Sequence, residues 1–306
     1  MSDTLDVIQV DDQAVPSDAA VKIVNLTKVY GSLKAVDNLN LEIPRGSVFG
    51  IIGPNGAGKT TTFSILATLL TSTSGRAFVN GHDTQHRPRE VRTCLGFMPD
   101  VLGVYDRLRV DEYLRFFASS YKVPRSQWPG LIDGLLELVD LTTKRDAMVN
   151  SLSRGMKQRL SLARALVHDP EILILDEPAS GLDPRARVDL RSLVHELRDM
   201  GKTIIISSHI LAELQELCSH VAIMEAGQLL AAGSPASILD ELGSTRTLNV
   251  RFLHGPDEQF SVGSAEEQRD LLRRLVVTEG REVIEFEERG GGLEDLFLKI
   301  TEGKVQ

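Results

Sequence analysis

A glycine-rich loop between two apolar segments constrains the fold of this chain more than any other feature of its sequence. Residues 48–52 form a short apolar run, as expected of a buried strand in a parallel sheet, and residues 53–60 follow directly with the sequence GPNGAGKT. A helix is predicted to begin within residues 58–60 and to carry Phe63, Ile65, Leu66 and Leu69 on its apolar face. A strand, a glycine loop and a helix in this order indicate an α/β fold.

The loop fits the pattern G-x-x-x-x-G-K-[ST] of phosphate-binding loops. Glycines let backbone N–H groups surround a polyphosphate without Cβ clashes, and the positive end of the following helix attracts the same anion. Lys59 is predicted to reach the β- and γ-phosphates, and the Thr60 hydroxyl to ligate Mg²⁺. The alternative is a glycine-rich turn that binds no ligand. The predicted cradle consists of Gly53, Pro54, Asn55, Gly56, Ala57, Gly58, Lys59, Thr60 and Thr61.

Two adjacent carboxylates, Asp176 and Glu177, follow the apolar run of residues 172–175. Strand ends form the ligand-facing edge of a parallel sheet, so the two acids are predicted to do different work there. Asp176 would hold Mg²⁺, directly or through water, and Glu177 would act as the general base on the attacking water. The alternative is a solvated acidic turn. His209 follows the predicted strand 203–207 and is a candidate for contacting the γ-phosphate, although a lone histidine is usually structural.

Strands alternate with helices over most of the chain, which predicts a parallel sheet with helices on both faces. Further strands are predicted at residues 203–207 and 221–224, with a helix from Pro184 to near Gly201. The helical pattern of residues 101–165 interrupts this order and predicts an inserted subdomain.

The two ends of the chain differ from its centre in composition and in predicted secondary structure. Residues 1–20 are acidic and lack lysine and arginine, which predicts a poorly ordered arm before a domain at residues 21–240. Residues 241–306 predict a small α+β appendage with strands at 248–252 and 282–288 and a capping box at residues 264–267. Its last predicted helical face consists of Leu293, Leu296, Phe297 and Ile300.

The composition limits the classes of function. A net charge of −9 provides no broad basic field for nucleic acid, and only a local basic groove would remain. Cys94 and Cys218 lie too far apart in sequence to suggest a metal motif, and they are expected to be buried, reduced thiols. The sequence contains no signal-peptide pattern and no apolar run near the ~18 residues of a membrane span. A membrane role is therefore expected to come through a partner.

The motifs occur in a specific order: the phosphate loop, the helical insert, LSRGM at residues 152–156, Asp176-Glu177, SGLD at residues 180–183, and His209. In this order they resemble the nucleotide-binding domain of ATP-binding-cassette (ABC) proteins over about residues 21–235. The resemblance implies a P-loop NTPase core in which an antiparallel β part and the helical subdomain accompany the parallel sheet.

The resemblance also implies roles for single residues. Tyr30 matches the aromatic residue that stacks on adenine, the alternative being a strand aromatic packed in the core. Ser153 and Gly155 match the signature segment that binds the γ-phosphate of ATP held by an opposite subunit; without a partner this segment is a plain helix cap. Asp183 matches the residue that links the two sites across the dimer. Asp100 stands where the family usually has a glutamine that touches Mg²⁺. Three alternatives remain open for it: direct contact with the metal, contact through water, or no role at the metal.

The family further implies that two ATP molecules, with Mg²⁺, are clamped between two such domains, as a homodimer or a heterodimer. Opening of the clamp on hydrolysis would drive an integral-membrane permease, with this chain at the cytoplasmic face of the membrane and no nucleic acid bound. A short helix of the permease would dock beside residues 101–117, where Tyr105, Tyr113 and Phe116 are candidates for the groove wall or, alternatively, for the subdomain core.

Some residues depart from the common family pattern, and others indicate one branch of the family. Arg154 replaces a glycine and Met156 a glutamine of the signature, but Ser153 and Gly155 are kept, so function is expected to survive. Three features resemble bacterial exporters of drugs, lipids and polysaccharides: Asp100, Gly181 beside Leu182, and the ending GLEDLFL at residues 292–298. One alternative is a soluble ABC-type ATPase that acts on ribosomes or nucleic acid, although such proteins generally carry two cassettes or a long coiled-coil insert. Another is a cassette that binds ATP without turnover, against which Glu177 argues.

Overall fold

The computed structural model describes residues 19–288, except for residues 102, 104, 106, 216 and 242–245. Most of the predicted N-terminal arm and the predicted helical face around Leu293 lie outside the described residues. The first strand begins at Ala19, so the last two residues assigned to the arm belong to this strand.

The strands and helices of the described residues follow each other along most of the chain. The strands are β1 Ala19–Tyr30, β2 Leu33–Pro44, β3 Val48–Ile52, β4 Ser74–Val79, β5 His82–Asp83, β6 Leu95–Met98, β7 Ile172–Leu175, β8 Thr203–Ser208, β9 His220–Glu225, β10 Gln228–Gly233, β11 Arg246–Phe252, β12 Glu258–Val262 and β13 Val283–Glu288. The α-helices are α1 Lys59–Leu66, α2 Pro88–Cys94, α3 Val110–Ser120, α4 Trp128–Leu138, α5 Arg154–Leu166, α6 Pro184–Asp199, α7 Leu211–Gln215, α8 Pro235–Glu241 and α9 Ala265–Arg273.

The central sheet has six strands in the order β10-β9-β3-β8-β7-β6. Strands β6, β7, β8, β3 and β9 run parallel, and β10 joins the edge antiparallel to β9. A second, antiparallel sheet has the order β2-β1-β4-β5. The predicted α/β class, with a parallel core and an antiparallel part, is confirmed.

The parallel sheet is covered on both faces, which explains the uninterrupted apolar runs of its strands. In β7, Ile172 and Ile174 belong to a core shared with the antiparallel sheet and α1, while Leu173 and Leu175 belong to a core shared with helices α3 to α6. All four side chains are fully buried. This burial fixes the register of β7, so the residues that follow it emerge together at the carboxyl edge of the sheet.

Helix α1 is shorter than predicted, because Thr68 adopts a left-handed conformation with φ 60°. The chain turns there, and the backbone N–H groups of Leu69 and Leu70 both donate to Ser64 O. Leu69 is therefore 67% exposed, and its predicted place on the buried helix face is wrong.

The block between β6 and β7 contains helices α3, α4 and α5, in the region of the predicted helical subdomain. Pro129 lies in the first turn of α4, where a missing N–H costs no hydrogen bond. Tyr113 is fully buried, so the prediction that it lines an exposed groove is wrong and the core alternative holds. Its ring packs on Phe117 at a centroid distance of 5.0 Å.

The region after α8 contains the three-stranded antiparallel sheet β12-β11-β13 and helix α9. Its own core is built on Leu248, Val250 and Phe252, which alternate along β11 as predicted, and on Leu271 and Leu275. The Ser264 hydroxyl accepts from Glu267 N at 3.2 Å and caps α9. This region therefore has an apolar cluster separate from those of the central sheet.

Candidate nucleotide-binding site

The glycine loop lies at the carboxyl end of β3, in the middle of the parallel sheet. A Cβ atom on Gly53 would lie 2.3 Å from Met224 O, and one on Gly58 would lie 2.4 Å from Ala35 O. Gly58 also has φ 98°, a conformation that is strained for residues with a side chain. Glycine is thus required at both positions because the loop is pressed against neighbouring backbone.

Lys59 is held inside the loop. Its Nζ donates to Gly53 O at 2.6 Å and Pro54 O at 3.3 Å, and it lies 3.5 Å from Glu177 Oε1. Burial lowers the pKa of Lys59, while the carboxylates of Glu177 and Asp176 oppose this shift. The loop therefore holds a cation whose present partners are carbonyl and carboxylate oxygens, which an anionic ligand can replace.

An open cleft of about 310 Å³ runs along the loop. Tyr30 lies on its wall and is 46% exposed, so the alternative that this ring packs in the core is wrong. Asp100, Glu177 and Lys59 also line this cleft. The lining residues are Tyr30, Leu33, Ala35, Pro54, Asn55, Gly56, Ala57, Gly58, Lys59, Thr60, Thr61, Asp100 and Glu177.

Asp176 ends the buried strand β7 and is 1% exposed. Its Oδ1 accepts from the Ser207 hydroxyl at 2.5 Å, whereas Oδ2 is buried without a hydrogen-bond partner among the described residues. Burial raises the pKa of Asp176, which the Ser207 and Thr60 hydroxyls oppose and the charges of Glu177 and Asp100 reinforce. An unpartnered carboxylate oxygen beside a hydroxyl and two further carboxylates fits the oxygen ligands that Mg²⁺ prefers.

Glu177 connects the loop to the next strand end. Its side chain lies 3.5 Å from Lys59 Nζ through Oε1 and 2.9 Å from His209 Nδ1 through Oε2. Its backbone is left-handed, with φ 48°, a conformation that costs a residue with a side chain free energy and is concentrated at functional sites. The acidic turn is therefore not freely solvated, since the Glu177 side chain is 14% exposed and paired on both sides.

Ser207 is a site residue that the sequence analysis missed. Its hydroxyl donates to Asp176 Oδ1 and accepts from Glu177 N at 2.9 Å, so one buried side chain orients both acids. The available signal was its place at the end of β8, which pairs with β7 in parallel. Serine is common at strand ends, so the role of Ser207 could not be predicted without knowing that β8 lies beside β7.

The structure does not bring Ser153, Gly155 or Asp183 to the cleft. The Ser153 hydroxyl accepts from Met156 N at 3.3 Å and caps α5, and Asp183 Oδ1 accepts from Ala186 N at 2.9 Å and caps α6. Gly155 lies in the first turn of α5, with Leu182 beside it. Within one chain these residues act as helix caps and turn residues.

Among the described residues, no helix has both the length and the apolar character that crossing a membrane requires.

The chain is similar to known proteins over most of its length. The family model "ABC transporter" matches residues 36–180. The Nod factor export ATP-binding protein I of Cupriavidus metallidurans is 35% identical over 299 residues, covering 92% of this chain and 97% of the relative. The bacitracin transport ATP-binding protein BcrA of Bacillus licheniformis is 35% identical over 305 residues, with 92% and 97% covered. The solved structure of cbiO1 from Clostridium perfringens, part of the ABC transporter complex cbiONQ, matches with a TM-score of 0.67 and 28% identity, covering 74% of this chain and 92% of that chain.

Proposed function

The chain belongs to the ABC transporter family as an ATP-binding and ATP-hydrolysing subunit, and from this premise we propose that it powers export through an integral-membrane permease. One relative is named for Nod factor export and the other for bacitracin transport, which supports export over import. The permease would hold the chain at the cytoplasmic face of the membrane as a peripheral subunit. The soluble ATPase that acts on ribosomes or nucleic acid is not favoured, because these relatives are transport subunits.

The observation that carries the proposal is the contact chain from Lys59 to Glu177 to His209 on the edge of the cleft. Lys59 binds the β- and γ-phosphates of ATP in place of its present carbonyl partners, and the Tyr30 ring stacks on the base. Glu177 then takes a proton from the attacking water. His209, which lies outside the cleft lining and is hydrogen-bonded to the far oxygen of Glu177, orients this carboxylate and is the candidate for contact with the γ-phosphate.

Asp176, the Thr60 hydroxyl and Asp100 are the residues that would hold Mg²⁺. A bound Mg²⁺ would neutralise charge that develops on the phosphate oxygens. The unpartnered Oδ2 of Asp176 supports this assignment, since a buried carboxylate oxygen without a partner is costly unless a ligand satisfies it. Asp100, which is exposed at the cleft wall, has room to act directly or through water.

A second nucleotide-binding domain, either a copy of this chain or a related chain, would close over the cleft. Ser153, Gly155 and Asp183 lie away from the cleft of their own chain and at the beginnings of helices α5 and α6. Helix N-termini attract anions, so these residues are suited to face the nucleotide of the partner domain.

The permease would dock beside helix α3. Tyr105 and Phe116 are 52% and 45% exposed, and their rings contact each other at a centroid distance of 5.3 Å. Beneath them, Tyr113 and Phe117 form the apolar support. Two exposed aromatic rings on a packed base suit the insertion of a short helix of the permease.

Gentle isolation of the tagged full-length chain from membranes tests the proposal, with the tag expressed alone as the control. We expect a polytopic membrane protein to co-purify and ATP hydrolysis to accompany the complex. Recovery with ribosomes or nucleic acid instead, and without a membrane protein, would contradict it.

Replacing Tyr30 by alanine is expected to weaken the binding of ATP and GTP alike, because stacking is poorly selective for the base. A lost stacking contact of about 1–3 kcal/mol corresponds to roughly 5- to 150-fold in affinity. Calorimetric titration of both nucleotides measures the effect, with Tyr121→Ala as a control on an aromatic residue outside the cleft lining. An unchanged affinity for both nucleotides would remove Tyr30 from the base site.

Replacing Ser207 by alanine is expected to slow ATP hydrolysis while leaving ATP affinity nearly unchanged. The change removes the donor to Asp176 and leaves the Glu177 N–H without its acceptor, a loss of about 1–3 kcal/mol in orientation, or roughly 5- to 150-fold in kcat. Steady-state phosphate release is the measurement. Ser192→Ala, which removes a hydroxyl bonded within helix α6, is the matched control. Equal rates in the two variants would show that Ser207 does not orient the acids.

A further inference from the structure

The first turn of helix α5 packs against the turn at residues 178–182, which lies between Glu177 and helix α6. A Cβ atom on Gly181 would lie 2.6 Å from Arg154 Cζ, 2.7 Å from Nη1 and 3.0 Å from Nε. The Arg154 guanidinium therefore covers the backbone of Gly181, which itself has φ 69°. A planar, weakly hydrated guanidinium is suited to packing on a flat surface of this kind.

The same two segments meet at two more points. Leu182 packs over Gly155, where a Cβ atom would lie 3.4 Å from Leu182 Cδ2. Gln158, which is 8% exposed, donates from Nε2 to Pro178 O. Each segment thus places a glycine opposite a large side chain of the other, and a buried hydrogen bond closes the contact. We name the pair Arg154 on Gly181 and Leu182 on Gly155 the glycine brace.

The glycine brace joins three functional groups of one chain. Ser153 and Asp183, which cap α5 and α6, lie one residue beyond it on either segment. Glu177 lies one residue before the turn that the brace holds. The packing of Arg154 on Gly181 therefore helps to set the distance between the N-termini of α5 and α6, and their position relative to Glu177. A glycine at position 154 could not make this contact.

We propose that Arg154 is a positioning residue, which braces the signature segment against the 180–183 turn so that Ser153 and Asp183 meet the nucleotide of the partner domain together. The proposal rests on the proposed function, since it requires ATP-driven closure of two domains. Arg154 acts through the packing of its guanidinium on Gly181 and not through its charge alone. The arginine that departs from the family signature is then part of the closing surface of this chain.

The test is a double-mutant cycle in the full-length chain carrying Glu177→Gln, where the ATP-bound dimer accumulates and its dissociation constant can be measured. Arg154→Ala and Gly181→Ala are each expected to weaken the ATP-bound dimer about tenfold, because small displacements of positioning groups have large effects. The loss of affinity in the double variant is expected to be smaller than the product of the two single effects, since both changes break one contact and only the backbone strain of an alanine at position 181 is independent of Arg154. ATP affinity of the dilute monomer stays unchanged in every variant.

Two matched variants separate packing from charge. Arg198→Ala removes an arginine of α6 that pairs with Asp199, and it is expected to leave dimerisation unchanged. Arg154→Lys keeps the charge without the plane and is expected to behave like Arg154→Ala. The proposal is contradicted if Arg154→Ala or Arg154→Lys dimerises fully. It is also contradicted if the effects of Arg154→Ala and Gly181→Ala on the dissociation constant simply multiply in the double variant. A Glu177→Gln chain that binds ATP but never dimerises would overturn the proposed function and, with it, this role of Arg154.

Discussion

Replacing Lys59 by alanine is expected to abolish ATP turnover and to weaken ATP binding at least ~100-fold, because two charge-assisted hydrogen bonds to phosphate are each worth about 1.5–3 kcal/mol. The ammonium is buried in the loop and already oriented by Gly53 O and Pro54 O, so binding does not have to order a flexible side chain. Its loss also leaves Glu177 without the neighbouring cation at 3.5 Å. Calorimetric titration with Mg-ATP and steady-state phosphate release measure the two effects.

Lys144→Ala is the matched control, since this lysine lies in a short helical turn of the α4–α5 connection and outside the cleft lining. It is expected to bind and hydrolyse ATP as the unchanged chain does. Turnover in Lys59→Ala equal to that of this control would remove the phosphate-loop assignment, and with it the reading of the cleft as the ATP site.

The elements of the central sheet could be predicted because each carries its signal locally. Residues 172–175 are apolar without interruption, as burial on both faces requires. The resemblance to ABC proteins, which depends on the order of the motifs, is confirmed by the relatives. Strands β4 and β10 were missed, because neither sequence alternates clearly between apolar and polar residues. In addition, β4 pairs with β1, which lies far away in the chain, whereas β10 pairs with the neighbouring strand β9. The end of α1 was misplaced since nothing in the sequence marks Thr68 for a left-handed conformation.

Site residues could be predicted where a sequence motif assigns the role of a side chain. They could not be predicted where the role depends on contacts between distant parts of the chain. Lys59 and Glu177 are marked by their motifs, and the structure places them 3.5 Å apart. Ser207 becomes meaningful only once β8 is known to lie beside β7. Tyr113 and Phe116 both belong to one helical segment, and only the packing of α3 shows that the first is buried and the second exposed.

Replacing Glu177 by glutamine is expected to slow hydrolysis by about 10²–10⁴-fold, the usual contribution of a general base, while ATP still binds. Glutamine keeps the shape of the side chain and one oxygen for contacts with His209 Nδ1 or Lys59 Nζ, but it cannot take a proton from water. The change also removes a negative charge beside the phosphates, which favours ATP. The closed dimer therefore forms and does not reopen, so ATP shifts the variant from monomer to dimer in light-scattering chromatography.

Glu171→Gln provides the matched control for this last prediction. Glu171 lies at the other end of the same strand and contacts Asn80 and Arg45, away from the cleft lining. Its replacement removes an equal charge and is expected to change neither the rate nor the ATP-dependent assembly. The comparison controls for the change in net charge, because Glu171 does not line the cleft whereas Glu177 lies 3.5 Å from Lys59 Nζ. A Glu177→Gln chain that remains monomeric in ATP and hydrolyses it as fast as Glu171→Gln would place the general base elsewhere.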